Sequence, residues 1–257
     1  MGTFLFNEII FGPVISRRLG NSLGINLLPV DCKFCNFDCI YCECGWTLKE
    51  KTKKLLPAPE IEKALYKKLK SLKIKNIAID NITFAGNGEP TLHPEFDTII
   101  GFTRRLRDQF YQSAEIAVLS NSTMIHNDKV FNALQQVEKK ILKLDSAIEE
   151  TIKILNKPPV GFNVKDTVKK MKRFNGNFIL QTMFVKGEFE RKTFDNTSDD
   201  EVFAWLNMIK EIQPEQVMIY TIKRDTPMES VYPIPLHDLE RIAKLVQETG
   251  IKVLVSD

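Results

Sequence analysis

Thr83-Phe84-Ala85-Gly86-Asn87-Gly88-Glu89-Pro90-Thr91 carries a β-rich run into two glycines and a carboxylate, just ahead of Pro94 and a helical pattern. A strand that halts at glycine and hands over to a helix is one βα unit, and the chain repeats that order with short polar joints. Apolar runs predict strands over 23–28, 79–85, 116–120, 141–145, 178–185 and 217–222, the first halted by Pro29. Helical spacing predicts helices near 60–72, 95–110, 128–137, 164–174, 199–212 and 236–249; the first aligns Ile61, Ala64, Leu65, Leu69 and Leu72. Right-handed crossovers between successive parallel strands curl such a series toward a barrel. The expected fold is therefore α/β, a partial (β/α)6 TIM-like barrel of parallel strands. Residues 251–256 can add a seventh strand, and residues 1–21 form a short N-terminal extension. No long linker or low-complexity tract divides residues 1–257, so one domain is expected, with its chemistry at the carboxyl ends of the strands.

Upstream of the first complete unit, the 30–46 loop holds all five cysteines: Cys32, Cys35, Cys39, Cys42 and Cys44. Within Cys35-Asn-Phe-Asp-Cys39-Ile-Tyr41-Cys42 the spacing Cys-x3-Cys-x2-Cys lets three thiolates converge on one face of a short loop. That arrangement suits a [4Fe-4S] cluster with one iron left without a protein ligand, free to accept a small molecule. Three plainer readings stand beside it. A structural zinc site could use Cys32, Cys35, Cys39 and Cys42, although zinc ribbons separate their ligand pairs by a longer loop. Disulfides are a second reading, but Met-Gly-Thr-Phe is not a basic-then-apolar leader and no run approaches a membrane span, so a reducing cytoplasm and no membrane are expected. Buried free thiols are a third, set against the charged flanks Asp31, Lys33, Asp38 and Glu43. Cys32 and Cys44 fall outside the triad and read as spare thiols or neighbours of a cluster.

With 257 residues, 43% of them hydrophobic, the chain can bury a substantial core. Thirty-six basic against 33 acidic side chains leave +3, too weak a balance to mark a nucleic-acid binder. The distribution is less even. Arg17, Arg18, Lys33, Lys49, Lys51, Lys53 and Lys54 bracket the cysteine loop, where they can receive an acidic electron donor or a phosphate-bearing substrate, or simply form a solvated surface.

The triad spacing, with the aromatic Tyr41 before the last cysteine, resembles the radical S-adenosylmethionine (radical SAM) enzymes. Gly86-Asn87-Gly88-Glu89 resembles the Gly-Gly-Glu element by which those enzymes bind the methionyl amine, with Asn87 standing where a second glycine is usual. Phe11-Gly12-Pro13-Val14-Ile15-Ser16-Arg17-Arg18-Leu19-Gly20, then Ser22-Leu23-Gly24, is similar to the opening of an iron–sulfur oxidoreductase group related to the wyosine-forming tRNA enzymes. Archaeal wyosine synthases carry further cysteines toward the amino terminus for a second cluster; none precedes Cys32 here.

The resemblance implies that Cys35, Cys39 and Cys42 ligate the cluster while S-adenosylmethionine chelates the fourth iron. It implies cosubstrate contacts from Tyr41, Gly86, Asn87, Gly88, Glu89, Ser120, Asn121, Lys143, Asp145 and Tyr220. Read without it, residues 83–91 are an ordinary strand-to-helix turn, 120–122 and 143–145 are loop capping and surface charge, and Tyr220 is a core residue. Gln181 and Thr182 interrupt an apolar strand, and alternation points one of them into the barrel. His93, His126 and His237 lack metal-ligand spacing and read as structural. The implied reaction is reductive cleavage of S-adenosylmethionine to a 5′-deoxyadenosyl radical that abstracts hydrogen from a substrate, with flavodoxin or ferredoxin as electron donor. A tRNA nucleoside held by Arg17 and Arg18 is the leading substrate; a small metabolite, or the glycine of a partner enzyme to be activated, is the alternative. An iron–sulfur electron carrier or a structural zinc protein is the reading without catalysis.

Overall fold

The computed structural model describes residues 4–16, 18–47 and 55–256. Arg17 and Lys49, Lys51, Lys53 and Lys54 lie outside the described residues. The elements run β1 (Ile10–Ser16), β2 (Gly20–Ile25), α1 (Ala58–Ile74), β3 (Asn81–Phe84), α2 (Phe96–Phe110), β4 (Glu115–Ser120), α3 (Asp128–Leu134), β5 (Lys139–Lys143) and α4 (Glu149–Asn156). They continue α5 (Val164–Met171), β6 (Ile179–Met183), β7 (Val185–Phe189), β8 (Lys192–Asp195), α6 (Asp199–Ile212), β9 (Gln216–Tyr220), β10 (Val231–Pro233), α7 (Leu236–Gln247) and β11 (Lys252–Ser256).

One sheet takes the order β1-β2-β3-β4-β5-β6-β9-β11, parallel from β2 onward, with β1 antiparallel at its edge. The six expected parallel strands and the seventh are all present, curled into a half-barrel. Every residue of β3 and β6 is buried, as a sheet covered on both faces requires. Outside, α1 presents Ile61, Leu65, Leu69 and Leu72 to the core, and Trp205 of α6 is enclosed with its indole N–H donating to Thr182 Oγ1 at 3.0 Å. Inside, Ala117, Ile141, Ile179 and Met218 close around Leu19, which the β1–β2 turn delivers into the lumen. Asn81 Nδ2 fixes that turn by donating to the Leu19 carbonyl at 2.7 Å.

Several expectations need correction. The described part of the 1–21 extension is built into the sheet, where β1 and the start of β2 form the antiparallel hairpin at its edge. The first parallel strand ends at Ile25 rather than Leu28, since Asn26 turns its side-chain oxygen onto the Leu28 and Asn87 amides. The apolar run 178–185 is two strands, because the β6 ladder ends where Phe184 N bonds the Tyr220 carbonyl at 2.8 Å, and Val185 changes partner to pair with Pro233 of β10. From there β7 joins β8 and β10 in a small antiparallel sheet that the sequence reading did not anticipate, and α4 was likewise not foreseen. No helix among the described residues is long and apolar enough to cross a membrane.

Candidate active site

The cysteine loop crosses the carboxyl ends of the parallel strands and is held there from two sides. On one side Phe34 N donates to the Asn87 carbonyl at 2.8 Å and Glu89 N donates to the Phe34 carbonyl at 3.1 Å, a parallel bridge between the loop and the glycine turn after β3. On the other, Asp38 N and Ile40 N each donate at 3.0 Å to the last carbonyls of α4, Asn156 O and Leu155 O. Cys35, Cys39 and Cys42 then line one cavity of about 240 Å³ together with Gly86, Gly88 and Glu89. Among the described residues no three acidic, histidine or cysteine side chains gather closely enough for a single metal ion. Three thiols opening on one cavity, that of Cys39 buried and those of Cys35 and Cys42 half-buried, fit a multi-iron cluster.

Burial opposes the Lys33 ammonium, yet the sulfurs of Cys42, Cys39 and Cys35, with Asp38, outweigh it and hold its pKa above the ordinary value. Lys33 Nζ donates to Asp38 Oδ1 and the Gly45 carbonyl, both at 3.0 Å, so this lysine is an internal counter-charge rather than part of a basic surface. A hydrogen bond from the Cys44 thiol, aided by Lys33, draws Cys42 down to about 6, while burial pushes Cys39 up to about 11 and Cys35 higher still. Cys44 lines the cavity as a neighbour of the triad; Cys32 is buried away from it.

Glu89 is enclosed, and burial raises its pKa against the hydrogen bonds it receives. Its Oε1 accepts from Ser120 Oγ at 2.9 Å and from the hydroxyl and amide of Thr91; Oε2 accepts from Asn121 N at 2.6 Å. Glu89 thus ties the end of β3 to the end of β4. Gly86, Ser120, Asn121, Lys143, Tyr220 and Tyr41 also face the cavity. Asn87 does not: its side chain bonds Phe6 in both directions at 2.8 Å and the Pro29 carbonyl at 2.8 Å, clamping the N-terminal segment. Gln181 is the member of its pair that points into the barrel, while Thr182 turns outward to the Leu144 carbonyl and Trp205.

Beneath Tyr41 lies a group only partly foreseen. Tyr41 OH donates to Asp145 Oδ2, whose partner Oδ1 lies 3.0 Å from Lys143 Nζ and accepts from Met183 N at 2.9 Å. Burial opposes the Lys143 ammonium, but Asp145 reverses the balance and raises its pKa. Lys143 also donates to Tyr220 OH at 2.7 Å. Asn156 completes the group, its Nδ2 within reach of Cys39 Sγ at 3.3 Å, Tyr41 OH at 2.6 Å and Asp145 Oδ2 at 2.7 Å. The sequence offered only the run Asn156-Lys157-Pro158-Pro159, a helix stop, as a signal for it. Arg18 stands apart from the first cavity, its guanidinium 4.8 Å from the centre of the Tyr220 ring. His93 and His126 satisfy loop carbonyls, at 2.9 Å to Leu56 O and 2.9 Å to Thr123 O, and neither lines the cavity.

A curled parallel half-barrel with a three-cysteine loop over its carboxyl end defines a cofactor-binding α/β enzyme. The chain belongs to the Radical SAM superfamily, whose family model matches residues 30–200. The chain is 29% identical over 246 residues to the UPF0026 protein MJ1312 of Methanocaldococcus jannaschii, covering 93% of this chain and 71% of that one. It is 28% identical over 239 residues to a protein of Brachyspira hyodysenteriae named GTPase Obg, of which it spans 33%. Among solved structures it is similar to a radical SAM methyltransferase from Sphaerobacter thermophilus, with TM-score 0.68, 16% identity and coverage of 91% and 65% of the two chains. TYW1 with a lysine-pyruvate adduct bound gives TM-score 0.63, 12% identity and coverage of 88% and 73%. SuiB of Streptococcus suis bound to S-adenosylmethionine gives 0.63, 14%, 88% and 49%. At these identities the structural likeness speaks for the fold.

Proposed function

We propose that Cys35, Cys39 and Cys42 hold a [4Fe-4S] cluster, and that Gly86, Gly88, Glu89, Ser120, Asn121 and Lys143 form the adjoining seat for S-adenosylmethionine. The observation that carries this reading is the triad opening on one cavity with the Gly86–Glu89 turn pinned against it. When bound there, the cluster supplies the electron that splits S-adenosylmethionine into methionine and a 5′-deoxyadenosyl radical able to abstract hydrogen from a substrate.

The chain's own part is positional. Lys33 offsets the negative charge of the thiolates, and Asn156 donates a hydrogen bond to Cys39 Sγ. Carbonyls of the glycine turn and the Glu89 carboxylate offer acceptors to an ammonium, and the Tyr41–Lys143–Tyr220 face offers apolar area and a donor to a nucleoside. Enclosing the reactive carbon among these groups keeps water from it.

Anaerobic reconstitution tests the reading: about four irons per chain are expected, with 5′-deoxyadenosine formed on adding dithionite and S-adenosylmethionine. If the variant with alanine at all three triad positions still forms it, the reading is wrong. A flavodoxin or ferredoxin is the donor this chemistry calls for. For the substrate, resemblance to the wyosine-forming enzymes and the cations Arg18, Lys223 and Arg224 beside the site support a nucleoside in tRNA. A gel shift with total tRNA checks it, with binding expected to weaken steeply as salt rises. No shift at low salt would remove the tRNA reading and leave the cluster reading intact.

A further inference from the structure

A second cavity, of about 270 Å³, adjoins the first and shares Tyr41, Cys42, Cys44 and Tyr220 with it. It has its own electrostatic character. Three cations, Arg18, Lys223 and Arg224, line it against one carboxylate, Glu43, which lies 2.7 Å from Arg224 in an ion pair at the rim. Arg18 differs from the other two in where it stands. The turn that carries it plants Leu19 in the barrel lumen, and the Arg18 side chain reaches from there to the carboxyl end of β9, laying its guanidinium on Tyr220. On the same ring lies Lys143, 5.0 Å from the centroid and already paired with Asp145. Arg18 Nη1 is buried and has no hydrogen-bond partner among the described residues.

A buried guanidinium donor left unpaired carries a desolvation cost that a folded chain normally offsets with an acceptor. No carboxylate among the described residues bonds this donor, whereas Lys33, Lys143 and Arg107 each have an acidic partner. A planar fork held against an aromatic ring at the edge of a cavity is a preorganised reader of phosphate or carboxylate. We infer that the second cavity receives the molecule that gives up hydrogen, and that Arg18 recognises a phosphate or carboxylate on it, using Nη1. This rests on the function proposed above, because it is that reading that makes the space beside the triad a reaction chamber. S-adenosylmethionine has a carboxylate too, but Arg18 is absent from the lining of the cavity that holds the triad and Glu89, which places it nearer the second reactant.

Equilibrium dialysis of labelled inorganic phosphate and labelled malonate against the reconstituted protein, with S-adenosylmethionine present, tests the inference. The wild-type protein is expected to bind one of the two, and which one it binds assigns the group. Arg18→Gln should weaken that binding at least ~10-fold, as expected for loss of a charged hydrogen bond, and Arg18→Lys should recover part of it. Arg105→Gln, which removes an exposed cation paired with Glu62, should leave it unchanged. Melting curves establish that each variant is folded. Failure of the wild-type protein to bind either probe, or equal binding by Arg18→Gln, overturns the inference. So does a loss confined to S-adenosylmethionine affinity, which would assign Arg18 to that carboxylate. Formation of 5′-deoxyadenosine by the wild-type protein without any probe reports separately on the underlying function.

Discussion

Phe34 and Gly88 pair as an isolated parallel bridge, a backbone seam that joins the cysteine loop to the turn after β3. Only glycine can stand there. A Cβ at position 88 would lie 1.9 Å from the Phe34 carbonyl oxygen, and its φ of +144° is a conformation that other residues rarely adopt. Gly88→Ala should therefore cost more than about 1 kcal/mol and loosen the loop. Gly101, in the middle of α2 with open space where its Cβ would stand, is the counterpart: Gly101→Ala should stabilise by about 0.5–1 kcal/mol. Urea melts with unchanged slope check both, and iron retained after desalting reconstituted Gly88→Ala should fall. Equal stability of the two variants would contradict this account of the seam.

The Asn156 amide, at the end of α4, lies within hydrogen-bond reach of both a triad sulfur and the buried Tyr41–Asp145 pair. Asn156→Leu removes the two N–H donors of an amide that has three acceptors in reach and should cost about 1–3 kcal/mol for groups left unpaired away from water. Hydrogen bonds to cluster sulfurs favour the reduced, more negative state, so the midpoint potential of the reconstituted variant should move to a lower value. A potentiometric titration followed by paramagnetic resonance reads that shift. An unmoved potential would show that the Asn156 amide does not act on Cys39.

The central parallel strands were readable because both faces are largely buried, which leaves nearly continuous apolar runs such as Glu115–Ser120 and Gln216–Tyr220. The edge strand Ile10–Ser16 broke that rule, carrying Pro13 and exposing Ile15, so it read as an extension. Short antiparallel strands such as Lys192–Asp195, with one buried residue, have no such signal, and α4 is too short for its periodicity to stand out. At the site, the triad, Glu89 and Tyr41 were legible because their chemistry is compressed into two short motifs. Asn87 looked like part of the second motif, yet its amide serves the N-terminal segment, a long-range contact that no local pattern encodes. Asn156 lies 117 residues from Cys39, and only the folded chain joins them.

Thr182 and Trp205 provide a test of the wall behind the site. The indole N–H has Thr182 Oγ1 as its acceptor, and both residues are buried between β6 and α6. Thr182→Val keeps the shape and removes the acceptor, so the indole N–H would be buried without a partner at a cost of about 1–3 kcal/mol. Thr182→Ser keeps the hydroxyl and should recover most of that. Denaturant melts of the two variants would refute the assignment if valine proved as stable as serine.

Lys140 gives the stability a pH dependence of definite sign. It is buried at the start of β5, where its ammonium donates to the Val137 carbonyl at 3.1 Å, and burial lowers its pKa from 10.5 despite the carboxylates of Glu215 and Glu138. Between the lowered native value and 10.5 the unfolded chain holds the proton that the native chain has released, so rising pH favours the native state across that window. Below it the lysine is charged in both states and the cost of burying the charge is borne in full. Lys140→Met has nothing to titrate there. The stability of the wild-type protein relative to Lys140→Met should therefore increase between neutral pH and pH 10.5. Comparing the two proteins at each pH cancels the tyrosines and cysteines that also titrate, and a difference that stays constant over the range would rule out the lowered pKa.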